Sequence, residues 1–320
     1  MKEDEMINAL TIDVEDYFHV SAFESVSSPE SWDGCELRVD RNTEKILAIL
    51  DEAGVKATFF VLGWVAQKLP NLIRTIAREG HEVASHGFGH RRVTTQSRSE
   101  FRNDVLKSKQ LLEDLISQRV LGYRAPSYSI SYDSLWAFDE LVEAGYLYDS
   151  SVFPVKHDFY GIAAWPRFPF CLLGDGEGRW APEGEQPRAD AAEPESRLQE
   201  IPVTTLRIGR RNFPIAGGGY FRLFPYGFTR WGLLQINRKD RQPFVFYLHP
   251  WEIDPDQPRM VGAGWKSRTR HYLNLDLTEG RLRRLLQDFT FAPIRELLRD
   301  PAYVQSTEVV VYERKGWLPV

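Results

Sequence analysis

Short apolar runs and longer stretches of helical periodicity alternate through the first half of the chain. Residues 7–12 form an apolar run that ends at Asp13. A turn-rich segment follows, and residues 41–53 then carry Ile46, Leu47, Ile49 and Leu50 at helical spacing, with Gly54 as the stop. The run 55–62 predicts a buried strand, 69–79 a helix closed by Gly80, and 82–85 another strand. Residues 99–115 place Phe101, Val105, Leu111, Leu112 and Leu115 on a helix. A strand is predicted at 121–123 and a helix at 134–144, closed by Gly145. Strands that alternate with helices need crossover connections, so the pattern predicts an α/β fold with a parallel sheet.

The pattern breaks after Phe170. Residues 174–199 are rich in Gly, Pro, Ala, Glu and Asp, a composition expected of an exposed, flexible insertion. Strands resume at 200–206 and 243–249, the second strongly apolar and ending in His249. Helices are predicted at 278–289, with Leu282, Leu285, Leu286 and Phe289 on one face, and at 291–298. A last strand is predicted at 308–312. There is no internal repeat.

Composition narrows the class. The chain has 320 residues, 42% hydrophobic and 27% charged, which is the profile of a globular protein with room for a sizeable core. A net charge of −5 and a pI of about 5.9 advertise no nucleic-acid surface. No apolar run reaches the ~18–20 residues of a membrane helix, so no membrane span is expected. The acidic start, Met1 to Met6, lacks the basic and apolar segments of a signal peptide. Cys35 and Cys171 are too few for a disulfide framework. Together these features lead to an expected cytoplasmic location.

The candidate chemistry sits where strands end. His86 and His90, spaced by Gly87-Phe88-Gly89, follow the 82–85 strand, and two imidazoles four residues apart can converge on one ion. Asp13 and Glu15 close the first strand. Alternate strand residues point the same way, so both carboxylates can face one side while Val14 faces away. Asp16 adds a third carboxylate. Two acids and two histidines suit a divalent metal with open positions. Arg124 follows the 121–123 strand and can hold a carboxylate. Pro126 stiffens the next turn, and the Ser127 N–H is free to face an anion. Asp149 and His249 end two further strands. Ionisable groups delivered by several strand ends to one side of a sheet are the arrangement of β/α-barrel enzymes.

The order Asp13-x-Glu15, His86-x-x-x-His90, Arg124-x-Pro126, Asp149 and Leu248-His249 resembles the polysaccharide deacetylases with the NodB-homology domain, carbohydrate esterase family four. The wording of residues 11–19, Gly217-Gly218-Gly219-Tyr220-Phe221-Arg222 and His271-Tyr272-Leu273-Asn274-Leu275 is similar to a narrower group associated with exosortase and PEP-CTERM exopolysaccharide loci. The resemblance implies a distorted (β/α)7 barrel over residues 1–250, carrying the 174–199 insertion, with a C-terminal extension, 251–320, packed on it. It implies a metal-dependent hydrolase that removes N-acetyl groups from an N-acetylhexosamine-containing polysaccharide or its precursor. Zinc is the expected ion, with cobalt or another divalent ion possible, and a glycan is the expected substrate.

Residue by residue, the resemblance makes Asp13 the general base, Arg124 its orienting partner, and His249 the general acid. It makes His86 and His90 metal ligands, and gives the oxyanion to the backbone N–H near Ser127. Asp149 matches part of a motif and is expected to orient His249. Two departures stand out. The family's usual metal-binding aspartate is replaced by Val14, which leaves Glu15 as the expected third ligand and Asp16 as its alternative. The usual Tyr after the Arg-x-Pro turn is Ser127, with Tyr128 next. Tyr220 and Trp251 are further candidates for contact with the sugar, while His19, Arg222 and Glu252 are candidate wall residues. The variant first motif also admits a NodB-fold amidohydrolase of small cyclic amides or ureides. A non-catalytic glycan-binding protein is the remaining alternative, and the presence of both Asp13 and His249 argues against it.

Overall fold

The computed structural model describes residues 6–155, 161–175, 178–184 and 196–299. The predicted 308–312 strand lies outside the described residues. The first half follows the predicted alternation. Strand β1 (Ile7–Val14) leads to α1 (Val39–Glu52), β2 (Thr58–Val61), α2 (Gly63–Lys68), α3 (Pro70–Arg78), β3 (Glu82–Ser85), α4 (Arg98–Ile116), β4 (Gly122–Tyr123), α5 (Ala137–Glu143) and β5 (Tyr148–Asp149). Helix α4 starts at a capping box, where Ser97 and Glu100 satisfy each other's backbone N–H groups. The second half adds β6 (Phe170–Gly174), β7 (Trp180–Pro182), β8 (Ser196–Glu200), β9 (Thr205–Ile208), β10 (Arg211–Pro214), α6 (Gly218–Leu223), α7 (Tyr226–Gln235), β11 (Val245–Leu248), α8 (Trp265–Tyr272), α9 (Leu275–Asp288), β12 (Thr290–Ala292) and α10 (Ile294–Leu297).

The sheet runs β11-β1-β2-β3-β4-β5-β8, with every neighbouring pair parallel. These seven strands form a distorted barrel of the NodB fold, with β6 and β7 continuing antiparallel beyond β8. The seam between β8 and β11 is bridged by irregular chain. Tyr247 N–H donates to the Ala216 carbonyl at 3.1 Å, and Val245 N–H donates to Thr204 Oγ1 at 2.7 Å. Gly217 is required there, because its φ is +130° and a Cβ would lie 2.1 Å from the Tyr247 carbonyl. The glycine run therefore serves close approach to β11.

The chain departs from the sequence reading at several places. Residues 174–199, expected as a loose insertion, contribute β7 and β8 to the sheet, while 176–177 and 185–195 lie outside the described residues. The expected 200–206 strand is broken between β8 and β9, where Pro202 has no N–H for a ladder. The 69–79 helix starts at Pro70 and is preceded by α2, which the sequence reading missed. Residues 251–299 do more than pack on the barrel: β12 pairs with β1, and Leu282, Leu285, Phe289 and Phe291 share the main apolar core with Leu10 and Phe244. Among the described residues, no helix is long and apolar enough to cross a membrane.

Candidate active site

The carboxyl ends of β1, β3, β4 and β11 open into a cleft of about 520 Å³ whose lining includes Asp13, Glu15, His86, His90, Ser127, Tyr128, Tyr220 and His249. At its floor, ligand atoms of Glu15, His86 and His90 lie within 4.8 Å of one another. His86 follows the end of β3, and its Nδ1 sits 2.8 Å from the Arg124 carbonyl. A carbonyl only accepts, so Nδ1 carries the proton and the Nε2 lone pair is left for another partner. Burial, helped by His90, lowers the His86 pKa to about 4, which keeps the imidazole neutral and able to ligate.

The His86–His90 loop is held by α4. Asp104 accepts from the backbone N–H groups of Phe88 at 2.7 Å and Gly89 at 3.2 Å. Gly87, with φ +73°, leaves room for this carboxylate, since a Cβ would stand 2.8 Å from Asp104 Oδ2. Sequence reasoning missed Asp104, which sits in a helix with nothing local to mark it.

Glu15, rather than Asp16, reaches the histidines. Glu15 Oε2 lies 2.7 Å from His90 Nε2 but accepts no well-aligned hydrogen bond, and it is buried. Burial alone would raise the Glu15 pKa, but His90, His249 and His86 outweigh it and hold the carboxyl well below the usual range. Asp16 is committed elsewhere. Its carboxylate accepts from the backbone N–H groups of Tyr17 (2.9 Å), Arg38 (2.7 Å) and Val39 (2.9 Å), so it ties the loop after β1 to the start of α1.

Asp13 is clamped from one side. Arg124, wholly buried, donates through one terminal nitrogen to Asp13 Oδ1 at 2.6 Å and to Thr11 Oγ1 at 2.8 Å. Its other nitrogens reach the Ser150 carbonyl at 3.2 Å and Ser150 Oγ at 2.9 Å. The guanidinium is therefore fixed by β1 across the sheet and by the chain leaving the neighbouring β5. Ser127 and Tyr128 both have left-handed φ values, +56° and +55°. That turn brings the Tyr128 hydroxyl to 3.5 Å from Asp13 Oδ2 and leaves Ser127 on the cleft wall, its Oγ 2.5 Å from Ser21 Oγ.

His249 faces Asp13 from the other side. Its Nε2 is 3.9 Å from Asp13 Oδ2 and 3.5 Å from Glu15 Oε1. Its Nδ1 bonds Glu252 Oε1, and Glu252 Oε2 accepts from Arg222 Nε at 2.9 Å. Arg222 is itself held by the carbonyls of Arg270, His271 and Leu273. Burial alone would lower the His249 pKa, but Glu15, Glu252 and Asp13 outweigh it and raise it to about 9. With a cation at Glu15, less of that carboxylate's field reaches the imidazole.

Two sequence expectations are corrected here. Asp149 does not orient His249. It accepts from Ser151 Oγ at 2.6 Å and Ser151 N–H at 3.0 Å, and it lies against Glu200, because β5 pairs with β8 and not with β11. The orienting carboxylate is Glu252, placed three residues after His249 by the turn at Pro250. Trp251 does not offer a face to a sugar. It is stacked between His249 (5.2 Å, 21°) and His271 (4.2 Å, 16°), and its Nε1 donates to Glu15 Oε1 at 3.2 Å. Trp251 thus orients Glu15. Tyr220 lines the cleft, while His19 is buried against Trp32 and Trp64 behind His90.

The donor set suits a divalent cation. Two imidazoles and one carboxylate converge, and the Glu15 oxygen facing them lacks an aligned donor. The Arg124 carbonyl, accepting from His86 Nδ1, and Trp251 Nε1, donating to Glu15, fix the ring and the carboxylate.

Residues 31–146 match the family model described as Polysaccharide deacetylase. The chain carries a polysaccharide deacetylase domain. Residues 150–299 match a second model, described as a domain of unknown function (DUF3473). The candidate site draws on both. His86, His90 and Arg124 lie in the first match, His249, Glu252 and Arg222 in the second, and Asp13 and Glu15 precede both. The chain is 36% identical over 99 residues to a peptidoglycan-N-acetylglucosamine deacetylase of Bacillus cereus, covering 31% of this chain and 36% of that one. It is 31% identical over 93 residues to a chitooligosaccharide deacetylase of Sinorhizobium fredii, covering 29% and 43%. The chain thus spans less than half the length of these two relatives. A crystal structure assigned as a polysaccharide deacetylase from Mycobacterium smegmatis shares the fold, with a TM-score of 0.55 and 18% identity over 93% of this chain and 90% of that one.

Proposed function

We propose that this deacetylase domain belongs to a metal-dependent hydrolase that removes N-acetyl groups from an N-acetylhexosamine-containing polysaccharide or its precursor, in exopolysaccharide biosynthesis. One observation carries the reading. A clamped carboxylate, Asp13, and a carboxylate-backed imidazole, His249, stand 3.9 Å apart beside the Glu15–His86–His90 cluster. The amide substrates in the names of the two deacetylase relatives point the same way.

The residues divide the work as follows. Glu15, His86 and His90 hold the ion. A divalent cation there, zinc by this donor set, supplies Lewis acidity that polarises the acetyl carbonyl and acidifies water. Asp13, oriented by Arg124, takes the proton from the attacking water. The backbone N–H at Ser127 faces the oxygen on which negative charge develops. His249, steadied at Nδ1 by Glu252, delivers a proton from Nε2 to the amine as the C–N bond breaks, and acetate and a free amino sugar result.

The test is direct. Zinc-loaded protein is incubated with N-acetylglucosamine oligomers, and NMR follows acetate and the new glycan amine together. Equal amounts of both support the reading. No acetate from any N-acetylated glycan, with one equivalent of zinc bound, removes it. In the producing cell, loss of the protein should leave the secreted polymer more heavily N-acetylated. An unchanged acetyl content would separate the enzyme from exopolysaccharide.

A further inference from the structure

The cleft continues past the Glu15–His86–His90 cluster. Beyond Tyr220 it opens into a second hollow of about 300 Å³, and Gly219, Tyr220, Lys266 and Arg270 line both. Leu223 and Trp265 complete the outer floor, with Trp265 72% exposed and Leu223 54% exposed. An indole left this open does no core packing, and it stands at the rim of a groove continuous with the candidate active site. Flat, exposed aromatic faces at such positions suit the apolar face of a sugar ring.

The charge on this wall is one-sided. Helix α8 carries Lys266, Arg268 and Arg270 within Trp265–Tyr272 and no acidic residue. Lys266 and Arg270 are four apart, so they share one helical face with Thr269 and Leu273, and it is this face that lines the groove. Neither Lys266 nor Arg270 makes an ion pair among the described residues. Lys266 Nζ instead stands 5.8 Å from the centre of the Trp265 ring. Arg92 and Glu24, also in the cleft lining, pair with each other at 2.9 Å and offset one another. A chain of net charge −5 therefore presents two cations beside an aromatic face where the glycan leaves the candidate active site.

We infer that the α8 groove binds a part of the glycan beyond the N-acetylated sugar, and that this part carries an acidic group. That group is a sugar carboxylate or a phosphate at the chain end. The inference rests on the deacetylase reading of the adjoining site and adds the charge class of the substrate. Trp265 and Tyr220 pack against sugar rings, and Lys266 and Arg270 pair with the anion.

Calorimetry with the zinc-loaded full chain tests it against three tetrasaccharide probes. These are neutral N-acetylglucosamine, N-acetylglucosamine alternating with glucuronate, and N-acetylglucosamine with a reducing-end phosphate. At low salt at least one acidic probe should bind about tenfold more tightly than the neutral one, and the one that does so identifies the group. The preference should shrink as salt is raised. In K266S/R270S, whose substitutions are both on exposed positions, the ratio should fall to within about twofold. Equal binding of all three probes overturns the inference, as does a preference that survives K266S/R270S. Acetate release is measured in parallel on the same probes. Release without an acidic preference overturns the groove assignment alone. A preference without release from any glycan overturns the deacetylase reading and leaves the anion groove standing.

Discussion

Glu252 offers the sharpest test of how the candidate acid is built. The residue is wholly buried and lies outside the cleft lining, touching His249 Nδ1, the His249 backbone N–H at 3.3 Å and Arg222 Nε at 2.9 Å. Glu252→Gln keeps its shape, removes its charge and leaves one acceptor, so that with the amide oxygen towards His249 the NH2 takes the place of the oxygen that accepts from Arg222 Nε. A hydrogen bond to a charged group contributes about 1.5–3 kcal/mol and a neutral one about 0.5–1.5, so each affected bond loses roughly 1–1.5 kcal/mol. One such loss expressed in the transition state is about tenfold in rate, and two are about a hundredfold. Glu252 touches neither the cleft nor the metal cluster, so the loss belongs in kcat. We expect kcat for acetate release to fall about ten- to a hundredfold, with KM and bound zinc within about twofold of the parent. Alanine is the poorer choice, because it strands the buried Arg222 charge at a cost of about 3–5 kcal/mol and invites unfolding. Initial rates, zinc content and melting temperature decide the matter. A folded E252Q with an unchanged kcat, or with a raised KM alone, refutes the argument.

Arg124→Met should abolish acetate release and cost about 3–5 kcal/mol in urea unfolding, because it leaves the Asp13 carboxylate buried without its partner; a variant as stable as the parent would contradict this. Glu15 and Asp16 should separate cleanly. E15A loses zinc by elemental analysis while still folding, whereas D16A keeps zinc and loses about 1–3 kcal/mol, since three backbone N–H groups lose their acceptor. The Asp149–Glu200 pair sets a pH dependence of stability. Burial raises the Asp149 pKa from 3.8 to about 6, and burial together with Asp149 raises that of Glu200. The folded chain thus holds protons that the unfolded chain releases, so the share of the stabilisation due to Asp149 is full below about pH 4 and is lost as pH rises through about 6, and the raised Glu200 adds a loss of the same sign. Urea midpoints should fall across that window, and less steeply in D149N; parallel slopes would contradict the assignment.

Much of the site was legible because the sheet is parallel. Apolar runs that end in a polar residue mark strand ends, and parallel strands put those ends on one side, as Asp13, His86, Arg124 and His249 show. What such runs do not show is which strands are neighbours. Asp149 looked able to serve His249 until pairing placed it against Glu200. Glu252 had a local signal in His249-Pro250-Trp251-Glu252, a turn in which the residue three along can fold back. Trp251 read equally well as platform or core, and only its two stacked imidazoles settle which. Asp104 acts across a long sequence separation and carries no local mark, and Arg222, expected on the site wall, gave no local sign that it pairs with Glu252. The missed helices α6 and α7 fall in a stretch whose apolar residues, Phe221, Leu223, Phe224, Tyr226, Phe228, Trp231 and Leu233, give no clean stripe.

In the proposed function one ion, held by Glu15, His86 and His90, makes this site a glycan N-deacetylase. The most direct measurement titrates metal-depleted protein with zinc and follows acetate release from N-acetylglucosamine oligomers. Activity should rise linearly to one equivalent and then level, and H86A should stay inactive across the same range. Activity that is full without zinc, or that H86A shares, would contradict the account.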